Sequence, residues 1–187
     1  MRYDATTTRD GTTTLPPSYD ANAADAVDRM LLDFLAAQRA RALEIIAGLS
    51  REQLTTPVLP SGWTPLGMIE HLGHAERHWF QGVAQGCIAP LPWAADTDHT
   101  VGFTSDHPTE AVVAFYRDEI ARADALLAST PLSTRPVGRH NQGESDQVAD
   151  LRFIVLHMIE ETARHLGHLD AARELIDGRV ELGQDDL

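Results

Sequence analysis

Two stretches of this sequence concentrate side chains that bind metals and carry protons. One reads MIEHLGHAERHWF and holds His71, His74 and His78; the other reads LHMIEETARHLGHLD and holds His157, His165 and His168, with Glu161 among them. Glu161 and His165 stand four residues apart, which on a helix puts both side chains on one face about a turn apart, as two ligands of one ion require. At about 100° per residue, the apolar arc of the second stretch centres on Ile154, Met158, Leu169, Ala172 and Ile176. His165 falls near its middle and Glu161 about 40° to one side, whereas Glu160, Arg164, Asp170 and Glu174 face away. A carboxylate turned inward costs several kcal/mol without a partner, so Glu161 is protonated, paired with a cation such as a buried arginine, or bound to a metal. Imidazole and carboxylate together suit zinc and the neighbouring divalent ions nickel and cobalt.

A third ligand has to come from another helix. On the first stretch His71 falls beside Met68, Ala75 and Trp79 at the edge of the apolar side, with His74 and His78 further toward solvent, so His71 is the choice and His74 the alternative. Glu76 also falls on the apolar side, where an ion pair with Arg152 or Arg173 is expected. His157 and His168 flank the candidate site on their helix, and His168 is placed to bond across it. His74, His78, His99, His107 and His140 read as exposed or loop residues, Cys87 as a small apolar residue, and Trp63, Trp79 and Trp93 as packing anchors.

The elements that must position these residues are helical. Apolar residues recur at spacings of three and four from Val27 through Met30, Leu31, Phe34, Leu35, Ala42, Ile45 and Ile46, predicting a first helix over residues 21–47, with Asp20 as its cap and Gly48 as its stop. Ser50 and Gln53 have capping-box spacing for a short turn. Thr64-Pro65 opens a second long helix over 65–83, a third spans 108–128, and the last spans 148–176, closed by Gly178. With no strand pattern and two long connections, 86–107 and 131–147, the expected fold is an all-α four-helix bundle whose site is built from facing helices. The expected division is a polar N-terminal segment at 1–20, the bundle at 21–178 and a short acidic tail at 179–187.

Composition narrows the partners. The 187 residues carry 28 acidic and 15 basic side chains, a net charge of −13, and the basic residues are all arginine. That charge repels phosphate backbones and anionic membranes, so neither nucleic acid nor a membrane is an expected partner, and the absence of lysine excludes Schiff-base chemistry. A single cysteine allows no internal disulfide and no thiolate cluster. Residues 1–20 have no apolar core of the signal-peptide kind, and no apolar run approaches membrane length; a cytoplasmic protein is expected.

The run from Leu151 (LRFIVLHMIEETARHLGHLDAARELIDG), with GWTPLGMIEHLGHAERHWF ahead of it, resembles the DinB-like superfamily, and within it the single-domain branch related to mycothiol-dependent maleylpyruvate isomerase. The resemblance covers residues 21–178. It implies a four-helix bundle holding a divalent metal through His71, Glu161 and His165, zinc first and nickel next, with a low-molecular-weight thiol such as mycothiol as cosubstrate. The implied reaction is an S-transfer or isomerisation of a small electrophile, with 86–107 and 131–147 shaping the acceptor pocket. The isomerase's second C-terminal domain has no counterpart here, which argues against maleylpyruvate as the substrate. A homodimer is the expected assembly. The competing readings are a non-catalytic metal-binding or stress-response bundle, and a metal-dependent hydrolase with Glu70, Glu76 or Glu160 as general base.

Overall fold

Short-range signals place the helix ends. The Thr64 hydroxyl accepts the Gly67 amide and Pro65 fills the first helical position, where no amide partner is lost. Ser50 and Gln53 close a reciprocal capping box, Asp150 accepts the Phe153 amide, and Gly178 ends the last helix in the left-handed region at φ 76°. The structure is a computed structural model and describes residues 21–93, 103–140 and 148–180. Its elements are α1 (Ala21–Ile46), α2 (Arg51–Thr55), α3 (Pro65–Glu76) running on as a π-helical stretch (Arg77–Gln85), α4 (Thr109–Ser129) and α5 (Leu151–Asp177). All are helical, and among the described residues no helix is long and apolar enough to cross a membrane. The expected Asp20 cap, His99, the 1–20 segment and most of the acidic tail lie outside the described residues.

Contacts between the helices give their directions. Arg152 pairs with Asp28 near the starts of α5 and α1, and Arg173 donates to the Ile45 and Ala47 carbonyls near their ends, so these two run parallel. The α3 unit and α4 are also parallel, Gly73 lying against Phe115 and Gln81 donating to Glu119 further along. The two pairs oppose each other: His71 of α3 faces Glu161 of α5, whereas Trp79, later in α3, meets His157, earlier in α5. The core fills the space between them in two clusters. One is built on Leu66, Ile69, Leu72, Val112, Tyr116 and Leu169, the other on Leu35, Phe80, Val83, Leu151, Ile154 and Met158.

Three expectations are corrected. The second long helix is not α-helical to residue 83, because it widens to π winding from Arg77 onward. There the Val137 and Gly138 amides donate to the Ala84 and Val83 carbonyls, so part of the backbone pairing comes from a segment far along the chain. The last helix begins at Leu151 rather than 148, since Asp150 is its cap. In α1, Val27, Met30 and Phe34 are exposed, as the apolar stripe is wider than the arc its neighbours cover.

Candidate metal centre

Because α3 and α5 run antiparallel, His71 and the Glu161/His165 face meet. His71 Nε2 lies 3.1 Å and His165 Nε2 3.0 Å from the same oxygen, Glu161 Oε1. The rings of His71 and His165 stand nearly perpendicular with centroids 4.8 Å apart, and the three donor atoms all lie within 4.8 Å of one another. His165 is seated in the core at 11% side-chain exposure, while His71 and Glu161 keep 25% and 23%, so that among the described residues one flank of the group is part-exposed. Hydrogen bonds from His165 and His71 hold the Glu161 carboxyl well below the usual carboxylate range, against the opposing pull of burial. Glu161 is therefore ionised at neutral pH, and among the described residues two imidazoles, rather than a buried arginine, are its partners.

His74 does not join the group. It reaches instead toward Glu70 at 3.7 Å and packs on Phe115. His168 lies edge-on to Trp63 at 5.7 Å rather than bonding across the site, and His157 leans on Trp79, toward the other end of α3. The proposed partners of Glu76 are also corrected. Glu76 is held by Arg39, with both guanidinium–carboxylate contacts at 2.7 Å, because α1 and not α5 lies over that face of α3. Arg152 serves Asp28 and Asp150, and Arg173 caps the end of α1. Of the three acids considered as general bases, Glu76 is thus occupied and Glu160 points outward to Arg164. Only Glu70 keeps a buried oxygen, Oε2, without a partner.

One residue that the sequence did not single out completes the flank. The Phe103 ring packs on His71 at 4.1 Å and meets His165 edge-on at 5.7 Å. Its backbone is anchored to α3, the Thr64 amide donating to the Phe103 carbonyl at 2.9 Å, and it crosses the helix at Gly67. A Cβ at Gly67 would lie 2.1 Å from that carbonyl oxygen, so only glycine permits the crossing. Gly67→Ala is expected to push the 103–107 segment off α3 and cost about 1–3 kcal/mol, read as a lower midpoint in thermal unfolding. Phe103→Ala, which keeps the crossing, serves as the comparison for site exposure. The 86–107 connection thus does reach the site, but the described part of the second connection, 131–140, packs on residues 82–86 instead. A cavity of about 540 Å³ lined by Gln81, Cys87, Ile88, Arg122 and Leu126 also belongs to that far end of α3 and includes none of the three donors.

Comparison with known proteins agrees with this architecture. A solved structure, that of a conserved protein from Enterococcus faecalis, superposes with a TM-score of 0.62 at 12% identity, covering 82% of this chain and 98% of that one, and so shares its fold. None of the curated proteins matches the chain. The sequence model of the mycothiol-S-transferase family matches residues 30–178, from α1 to the glycine that closes α5. With both candidate stretches inside that match, the chain belongs to the mycothiol-S-transferase family of DinB-like proteins.

Proposed function

We propose that the chain is a metal-dependent thiol S-transferase in which His71, Glu161 and His165 hold one divalent cation, zinc in first place and nickel as the alternative. The observation that carries this reading is the convergence of three donor atoms, from two helices, on a volume that one ion fills. The donor set fits such an ion. Two neutral imidazoles and one carboxylate supply a single negative charge, which leaves a divalent ion able to attract an anionic ligand, and three protein ligands beside a part-exposed flank are the pattern of a catalytic site. When bound, the ion supplies positive charge that favours the thiolate form of a thiol near neutral pH and offsets charge built up during transfer.

The chain's own side chains do the positioning. His165, fixed in the core, and His71, fixed under Phe103, set where a ligand can approach, while Glu161 orients both rings through one oxygen. Phe103 offers an apolar wall to the electrophile and limits water on that side. The cosubstrate is a low-molecular-weight thiol of the mycothiol class, as the family suggests. Cys87, the chain's only cysteine, lies past the π-helical stretch, so the reacting sulfur arrives as cosubstrate. The thiol loses its proton to solvent water, its sulfur forms a bond to the electrophilic carbon, and the leaving group departs with the electron pair of the bond that breaks.

Incubating zinc-loaded, untagged protein with mycothiol and a haloarene or epoxide tests the proposal. The expected result is a thioether conjugate, seen by mass spectrometry, that requires both metal and thiol. Turnover without thiol would indicate a hydrolase instead. No conjugate with mycothiol, bacillithiol or glutathione across a panel of electrophiles would indicate a non-catalytic metal-binding bundle.

A further inference from the structure

A second group of imidazoles gathers at the other end of α3. His78 Nε2, on the π-helical stretch, lies 2.9 Å from His140 Nδ1, on the connection after α4. The His140 ring stacks on Trp79 at 4.5 Å between centroids, and His157 of α5 packs on the same indole at 4.3 Å. Residues 62 positions apart in sequence are thus brought to bonding distance.

The backbone delivers His140 to this position without help from the imidazole pair. Val137 and Gly138 donate to the carbonyls of Ala84 and Val83 at 3.0 and 2.9 Å, and a Cβ at residue 138 would fall 2.0 Å from the Gly82 oxygen. Glycine at 138 therefore allows the close approach, and the irregular winding that meets it is of a kind frequent at functional sites. Two nitrogens 2.9 Å apart can share one ion: with metal–nitrogen bonds of about 2.0–2.1 Å they subtend about 90° at it. Imidazole donors suit nickel(II) and copper(II) as well as zinc. His140 is exposed and His78 half-buried, so an ion can enter and leave from solvent.

We propose that His78 and His140 form a second divalent-metal site, one that nickel(II) or copper(II) can occupy. An ion there ties the connection after α4 to the π-helical stretch. The pair shares no residue with His71, Glu161 and His165. Untagged full-length protein carrying His71→Ala and His165→Ala, stripped with chelator, is titrated with nickel chloride by calorimetry. One bound equivalent is expected, lost when His140→Ala or His78→Ala is added and kept when His74→Ala is added. Copper(II) is expected to quench Trp79 fluorescence in the same background, and the quenching to disappear with His140→Ala while far-ultraviolet circular dichroism stays unchanged. Absence of nickel binding in the His71→Ala/His165→Ala protein, or its persistence after His140→Ala, would overturn the proposal.

Discussion

Glu161→Gln is expected to abolish the stabilisation by zinc that the proposed site predicts for the wild-type protein. A ligand at a hundred times its dissociation constant stabilises a fold by about 2.7 kcal/mol, which for a chain of this size raises the unfolding midpoint by roughly 5–10 °C. Glutamine keeps the shape of Glu161 but removes the one negative charge that, with the imidazoles of His71 and His165, makes the donor set suited to a divalent ion. The expected calorimetric result is a zinc-dependent shift of that size in the wild type and none in the variant, with His165→Ala behaving likewise. The metal-free wild type carries a pH signature as well. Because the Glu161 carboxyl is held below its ordinary range by His165 and His71, its contribution is complete above the usual carboxylate range and is lost only as pH falls through the lowered value. Mild acid therefore leaves Glu161 charged in the folded protein. A wild-type midpoint unmoved by zinc, or an equal shift in Glu161→Gln, would contradict the assignment.

Arg39→Met is the largest expected loss of stability. Arg39 and Glu76 are 3% and 1% exposed and meet through two 2.7 Å contacts, with a third from Arg39 to Asp124 at 2.8 Å. Burial opposes the charge on Arg39, but Glu76 more than compensates and raises its pKa above the ordinary value. Removing the guanidinium strands a buried carboxylate, at a cost of about 3–5 kcal/mol and a midpoint lowered by roughly 10 °C. Burial already pushes the Glu76 carboxyl up, against the pull of Arg39, and the substitution removes that pull. A native state that holds a proton more tightly than the unfolded chain loses stability as pH rises, so the deficit of Arg39→Met narrows as pH is lowered from 7 toward 5. Pairing Arg39→Met with Glu76→Leu restores most of the loss, since no buried charge is then left alone. Equal deficits in the single and double variants would show that the pair acts through packing. The pair also sets the rotation of α3 against α1, and His71 sits five residues before Glu76 on that helix.

What the sequence revealed was local. The Ser50–Gln53 box, the Thr64–Pro65 start and the Gly178 stop each involve residues a few positions apart, and each forms as expected. The Glu161–His165 spacing is equally local, and the apolar arc of α5 turns both side chains toward α3, where His71 meets them. The helix angle separated His71 from His74, and the structure brings His71 to the group. What escaped depends on register between distant elements. Nothing near Glu76 in sequence points to Arg39, and nothing near His71 points to Phe103. The change to π winding after Glu76 accompanies Gly138 docking on Gly82, a contact that no pattern within the α3 stretch contains. Periodicity likewise marks Val27, Met30 and Phe34 as apolar without saying that, among the described residues, that strip of α1 is exposed.

The proposed function requires one divalent ion to bind where α3 and α5 meet. The most direct measurement is a crystal structure of zinc-soaked protein with data collected across the zinc absorption edge. One strong anomalous peak is expected about 2.0–2.2 Å from His71 Nε2, Glu161 Oε1 and His165 Nε2, with a further coordination position facing the part-exposed flank. Peaks elsewhere with none at these three atoms, or a direct Glu161–imidazole contact persisting in saturating zinc, would contradict it.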